Sequence, residues 1–218
     1  MARCDCDPNL FAAKFDEPYA TEKLELYRSQ GPDPSTRALL DAILAEGVTG
    51  RTLLDIGGGV GAIQHELLDS GVRHAQEVEA SRAYIAACQQ EAQRRGHADR
   101  VEHVFGEFGA VADRIDEADI VTLDRSPCCW GKPLELIGGA AAKSRWLLGM
   151  VFPRDSWWVR YGWRPYGNVK QILKRSQLRL HTPRHGEVEQ VVRDRGFTRR
   201  SLTEMGVWSI VVWEKEPA

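Results

Sequence analysis

Apolar residues recur along this chain with two periods. Nearly continuous apolar runs occupy 52–56, 119–123 and 146–152, and shorter mixed runs occupy 75–80 and 101–105. Runs this dense are what strands buried on both faces of a sheet require. Between them apolar residues return every three or four positions. Leu39, Leu40, Ile43 and Leu44 follow Pro32, Pro34 and Ser35 and stop at Gly47. Ile63, Leu67 and Leu68 stop at Gly71, and Tyr84, Ile85, Cys88 and Ala92 run from the cap Ser81 to Gly96. Leu134, Leu136, Ile137 and Ala141 follow Pro133 as far as Lys143, and Val188, Val191 and Val192 follow Pro183 as far as Gly196. Proline or serine at the start and glycine at the end are helix punctuation. Two last strands, 197–203 and 207–213, flank Met205-Gly206 and predict a terminal hairpin. Strand and helix alternate, so the expected fold is α/β: seven strands, mostly parallel, with helices on both faces and an antiparallel hairpin at the C-terminal end.

Two stretches break this rhythm. Residues 1–33 show no clear period and read as an N-terminal arm or cap, short helical or irregular, carrying Cys4, Cys6, Phe11, Phe15, Tyr19, Leu24, Leu26 and Tyr27; the main domain is then 34–218. Residues 154–185 hold eight Lys and Arg residues against one acid, Asp155, interleaved with Trp157, Trp158, Tyr161, Trp163 and Tyr166. Cations set among aromatic rings suit an anionic or flat aromatic ligand, or single-stranded nucleic acid. An amphipathic helix pair that docks its tryptophans and solvates its arginines gives the same pattern. This stretch is expected to be a lid inserted at the end of the sheet where functional loops gather.

The chemistry concentrates after the first strand. Asp55 closes it, and Gly57, Gly58, Gly59 and Gly61 follow before the next helix. Glycines there allow positive φ and close approach of backbone to ligand, as a nucleotide-like molecule at the carboxyl end of a parallel strand requires. The spacing is G-x-G-x-G; a dinucleotide fingerprint would need glycine at 62, which is Ala62. Glu79, with Ala80 beside it, ends the second strand about 20 residues on, where a carboxylate accepts both ribose hydroxyls. The third strand leads into Gly106-Glu107-Phe108, and the fourth into Asp124-Arg125-Ser126-Pro127-Cys128-Cys129-Trp130.

Taken together, Asp55 to Gly61, Glu79, Gly106-Glu107-Phe108 and Asp124 resemble the motif series of class I S-adenosylmethionine (SAM) methyltransferases, across residues 50–213. The resemblance extends loosely to small single-domain bacterial secondary-metabolite enzymes and relatives of magnesium-protoporphyrin methyltransferase, through Leu123-Asp124-Arg125, Cys128-Cys129 and Pro153-Arg154 with Trp157-Trp158. It implies a Rossmann-like sheet whose last strand is antiparallel. It also implies SAM as cofactor, with S-adenosylhomocysteine as product, held by Asp55, Gly57, Gly58, Gly59, Gly61, Glu79, Ala80, Gly106, Glu107, Phe108, Asp124 and Arg125. Glu107 stands where the family often has aspartate. The methyl acceptor is expected to be a small acidic or aromatic molecule met by Arg154, Trp157, Trp158, Arg179 and Tyr27. His181 and Asp124 are the candidate general bases.

Composition narrows the alternatives. The chain has 218 residues and net charge −2, so no global charge calls for nucleic acid or an anionic membrane. No apolar run spans a bilayer and the first residues form no signal sequence, so a cytoplasmic protein without a membrane partner is expected, as monomer or homodimer. An RNA cytosine-5 methyltransferase would use Cys128 as nucleophile, but Asp124-Arg125-Ser126-Pro127-Cys128 is one residue longer than that motif. Cys4, Cys6, Cys128 and Cys129 would have to converge to hold zinc or arsenite and lack Cys-x-x-Cys spacing, so no metal is expected. A protein that only binds SAM or a partner is the remaining reading.

Overall fold

The computed structural model describes residues 14–173 and 179–216. In chain order the elements are α1 (Glu17–Gln30), α2 (Pro34–Leu44), β1 (Thr52–Ile56), α3 (Ala62–Asp69), β2 (His74–Glu79), α4 (Arg82–Arg95), β3 (Val101–Phe105), the short α5 (Phe108–Val111) and β4 (Ala118–Asp124). They continue with α6 (Pro133–Lys143), β5 (Ser144–Pro153), a π-turn at Val159–Trp163, α7 (Arg164–Leu173), α8 (His185–Arg193), β6 (Phe197–Met205) and β7 (Trp208–Lys215). The seven strands form one sheet in the order β3-β2-β1-β4-β5-β7-β6. β1 to β5 are parallel, and β7 runs antiparallel between β5 and β6. The expected α/β sheet and its terminal hairpin are therefore present.

Alternate residues of each central strand face opposite sides. Leu54, Val121, Leu148 and Met150 meet Leu136 and Ile137 of α6 and Val188 and Val192 of α8. Leu53, Ile120, Leu147 and Val151 meet Leu39, Leu40 and Ile43 of α2 and Ile63 and Leu67 of α3. Each side chain so buried contributes roughly 1.5–3 kcal/mol, and the two layers fix the register.

The chain runs outward from β1 to β2 and β3, then returns to lay β4 on the other side of β1. That reversal opens a crevice beyond the carboxyl ends of β1 and β4, where ligands of open α/β sheets bind. Of the two forms open to the arm, its described part takes the helical one. Asp16 caps α1 by accepting from the Tyr19 amide at 3.1 Å. Ala20, Leu24 and Tyr27 pack beside Ala87 of α4.

Candidate functional site

The glycine turn after β1 is shaped by what lies beneath it. Gly61 has φ +79° and begins α3. A Cβ there would stand 2.6 Å from Cys88 Sγ and 2.9 Å from His65 Nε2. At Gly58 a Cβ would stand 2.7 Å from Asp55 Oδ2. Glycine is thus required on the underside of the turn, while Gly57, Gly58 and Gly59 line the cavity above it.

Glu79 is 7% exposed and fixed at both oxygens: Gly59 N–H donates to Oε2 at 3.2 Å and Ser81 N–H to Oε1 at 2.8 Å. Burial, with Glu77 nearby, pushes its carboxyl up to about 7. Asp55 is directly opposite Glu77 in the β1–β2 register and beside Thr122 of β4. Thr122 Oγ1 donates to Asp55 Oδ1 at 2.7 Å, and burial pushes Asp55 up to about 8. Glu77 is paired in turn with His103 of β3, 2.6 Å away. Ligand atoms of Glu77, Cys88 and His103 lie within 4.8 Å of one another. Burial raises both the Glu77 carboxyl and the Cys88 thiol, which favours their neutral, hydrogen-bonded forms. This polar row under the glycine turn is absent from the sequence reading, because it needs strand register, and only the acid-glycine boundary hints at it.

Asp124 and Arg125 form a second cluster at the end of β4. Thr36 Oγ1 donates to Asp124 at 2.6 Å, Arg125 pairs with Asp124 at 3.0 Å, and Arg125 also pairs with Asp33. Burial raises the Asp124 carboxyl against these partners. Asp33 also caps α2, accepting from Ser35 N–H at 3.1 Å and Thr36 N–H at 3.3 Å. Arg125 holds a left-handed φ of +57°, a conformation that costs a non-glycine residue about 1–3 kcal/mol and gathers at functional sites. Arg125 is thus committed to two acids, which fixes the wall that it lines. Next to it Cys128 Sγ donates to Arg125 O at 2.9 Å and lies 3.7 Å from Cys129 Sγ. The hydrogen bond between the thiols holds Cys129 down and Cys128 up.

The cavity between these clusters measures about 880 Å³, toward the upper end of the range for small-molecule sites. Asp55, Gly57, Gly58, Gly59, Glu79, Ala80, Gly106, Glu107, Phe108, Asp124 and Arg125 line it, as does Tyr27. Gly61 lies behind the turn. The arm supplies the roof: Ser81 Oγ donates to the Phe15 carbonyl at 2.7 Å, and the Phe15 and Tyr19 rings stand 5.4 Å and 6.3 Å from that of Tyr84. Trp130, Trp163, Leu180 and Trp208 close the opposite side, with Trp163 and Trp208 edge to face at 5.6 Å.

Four expected acceptor contacts lie elsewhere. Arg154 bonds Glu204 and the Gly206 carbonyl in the terminal hairpin. Trp157 is 78% exposed and Trp158 38%; neither lines the cavity, and nor does Arg179. The helical turn after β5 points these two rings away and turns Trp163 inward. His181 does not line the cavity; its N–H donates to Cys128 O at 2.8 Å. Cys4 and Cys6 lie outside the described residues.

No protein-family model matches the sequence, and no curated protein does. Solved structures do. Magnesium protoporphyrin IX methyltransferase from Synechocystis PCC 6803, with S-adenosylhomocysteine bound, superposes at TM-score 0.73 and 14% identity, over 96% of this chain and 100% of that one. An O-methyltransferase family protein from Burkholderia thailandensis superposes at 0.71 and 17% identity, over 93% of this chain and 61% of that one. The cyclase SpnF superposes at 0.60 and 15% identity, over 82% and 80%. These likenesses, together with the strand order and the glycine turn, establish that the chain has the class I SAM-dependent methyltransferase fold.

Proposed function

We propose that the protein transfers a methyl group from SAM to a small aromatic acceptor. The observation that carries this reading is Glu79: a carboxylate at the end of β2, fixed by the Gly59 and Ser81 amides and facing a crevice floored by glycines. That geometry fits an adenosine ribose, whose two hydroxyls donate to one carboxylate while the turn leaves no side chain in the way. Gly106, Glu107 and Phe108 line the same cavity and would hold the adenine ring, and Asp124 with Arg125 the methionine end, if the family pattern carries over. SAM supplies an electrophilic sulfonium methyl when bound, so the protein's task is to position the acceptor and exclude water.

The acceptor side favours an aromatic molecule over a highly charged one. Phe15, Tyr19, Tyr84, Trp130, Trp163 and Trp208 line it; of the three cations in the lining, Arg37 is occupied by Glu66 and Arg125 by Asp33 and Asp124, while Lys23 stands over the Tyr19 ring. Asp124 is the candidate base on the cavity wall. The buried, raised thiol of Cys128 makes a poor nucleophile, which weighs against the cytosine-5 reading. The superposition on a cyclase keeps a non-methylating activity as the second reading, since one fold carries several chemistries.

Calorimetric titration with SAM and S-adenosylhomocysteine is the test, on the wild type and on Glu79→Ala. Micromolar binding that weakens at least about tenfold in the variant supports the cofactor site. A radiolabelled methyl screen over aromatic and aliphatic acceptors then separates the two readings. SAM binding without methyl transfer to any acceptor would favour the second.

A further inference from the structure

A row of polar side chains crosses the apolar layer beneath the glycine turn. Asp55 of β1, Glu77 of β2 and His103 of β3 are register neighbours, so all three project from the same face of the sheet. Two residues earlier on the same strands that face carries Leu53, Ala75 and Val101, which belong to the layer under α2 and α3. Cys88 of α4 reaches the row, with Gln64 and His65 of α3 beside it. Asp55, Gln64, His65, Glu77 and Cys88 are all fully buried.

Buried acids need a partner, a proton or a metal ion. This row is paired only in part. His103 Nδ1 meets Glu77 Oε2, and Thr122 donates to Asp55 Oδ1. Glu77 Oε1, Asp55 Oδ2 and Gln64 Oε1 are buried without a hydrogen-bond partner. The two carboxylate oxygens face one small space, since a Cβ on Gly58 would stand 3.1 Å from Glu77 Oε1 and 2.7 Å from Asp55 Oδ2. A proton shared by the two acids would satisfy those oxygens but asks for no thiol and imidazole beside them.

The donor set points to a cation. A Glu77 oxygen, Cys88 Sγ and a ring nitrogen of His103 lie within 4.8 Å of one another. Ligand atoms around one tetrahedral zinc stand roughly 3.3–3.8 Å apart, so closing on the ion takes side-chain shifts of about 1 Å. Thiolate with imidazole selects zinc or a similar transition ion over magnesium and calcium, which take oxygen. One carboxylate and one thiolate also balance a dication, which leaves the buried assembly neutral. Gln64 Nε2 donates to Cys88 Sγ and His65 Nε2 lies 3.7 Å from it, so the sulfur is oriented from behind. His103, with its side chain 10% exposed on the edge strand β3, gives the way in.

We propose that Glu77, Cys88 and His103 bind one zinc-like divalent ion beneath the glycine turn. None of the three lines the cavity, so the ion is structural and ties β2, β3 and α4 together below Gly58 and Gly61. This departs from the expectation of no metal, which weighed only Cys4, Cys6, Cys128 and Cys129. It does not rest on the SAM reading. Binding displaces the protons of the acid and the thiol, so their raised values describe the chain without metal.

Cobalt titration of the full chain, freed of metal by chelator and dialysis, tests this. The wild type is expected to take up one equivalent, to show the ultraviolet charge-transfer band of a cobalt–thiolate bond, and to release cobalt to zinc. Cys88→Ala, which keeps a small apolar side chain in place, is expected to lose the band. His103→Gln, on the edge strand, is expected to weaken binding at least about tenfold. Cys128→Ser with Cys129→Ser is expected to keep both. Far-UV circular dichroism checks each fold, and His103→Gln carries the comparison where Cys88→Ala does not fold. No uptake of cobalt or zinc by the wild type overturns the proposal and leaves the row to a shared proton. Uptake without the thiolate band, or undiminished in Cys88→Ala or His103→Gln, puts the ion elsewhere and overturns it as well.

Discussion

At the level of single residues, the site depends on groups whose neighbours leave them little choice. Gly61 is held at positive φ directly above Cys88 and His65. Gly61→Ala is expected to cost at least about 2 kcal/mol in urea unfolding, from backbone strain together with overpacking. A cost below 0.5 kcal/mol would mean that α3 moves freely, contrary to its buried contacts. Asp55 gives a pH signature. Its native carboxyl titrates near 8, well above the ordinary value, so the native state binds more protons than the unfolded chain between the two. Stability therefore falls with rising pH through that window. His65, pushed down to about 3 by burial and by His97, acts in the opposite sense, but its contribution is complete by pH 7. Between pH 7 and 8.5 the wild type is expected to lose about 1 kcal/mol through Asp55. Asp55→Asn, which keeps the acceptor for Thr122, should remove that loss. Parallel pH profiles of the two proteins would show that Asp55 is already ionised at pH 7.

Among the elements, Asp33 ties α2 to the end of β4 in two ways, and two substitutions separate them. Asp33→Ala removes both the helix cap and the Arg125 partner and is expected to cost about 1–2 kcal/mol from the cap alone. Asp33→Asn keeps the cap and loses only the charge, and should cost less than half as much in the same unfolding assay. Equal losses would assign the whole effect to the ion pair. The βα series was legible because buried parallel strands leave unbroken apolar runs and the helices carry proline, serine and glycine at their ends. Helix α6, read from Pro133 to Lys143, has those bounds in the structure. α1 was legible only as an arm, helical or irregular, because only Ala20, Leu24 and Tyr27 form its buried stripe, too narrow to stand out from the polar residues around it. The acids at the strand ends were placed by position alone. By contrast, the inward turn of Trp163 and the outward turn of Trp157 depend on the π-turn, which no residue pattern announces.

For the molecule as a whole, the cavity has walls from three parts of the chain: the sheet ends, the arm and the segment after β5. Its sheet side follows from topology, since the reversal between β1 and β4 leaves a crevice in any such fold. Its roof does not, and depends on Phe15, Tyr19 and Tyr27 being held beside Tyr84 by the arm. Ligand binding should therefore stabilise the whole chain and do so partly through the arm. At a SAM concentration about a hundredfold above Kd the gain is about 2.7 kcal/mol, or roughly 5–10 °C in a chain of this length. Glu79→Ala is expected to lose most of this shift. Removal of residues 1–31 leaves both large clusters on the sheet intact, so the shortened chain should keep its α/β circular dichroism while its SAM-induced shift falls by at least half. A full shift in the shortened chain would show that the sheet alone forms the cofactor site and that the arm serves the acceptor. Loss of the fold would show instead that Leu24 and Tyr27 on α4 are needed to complete the core, which the separation of their cluster from the two sheet layers argues against.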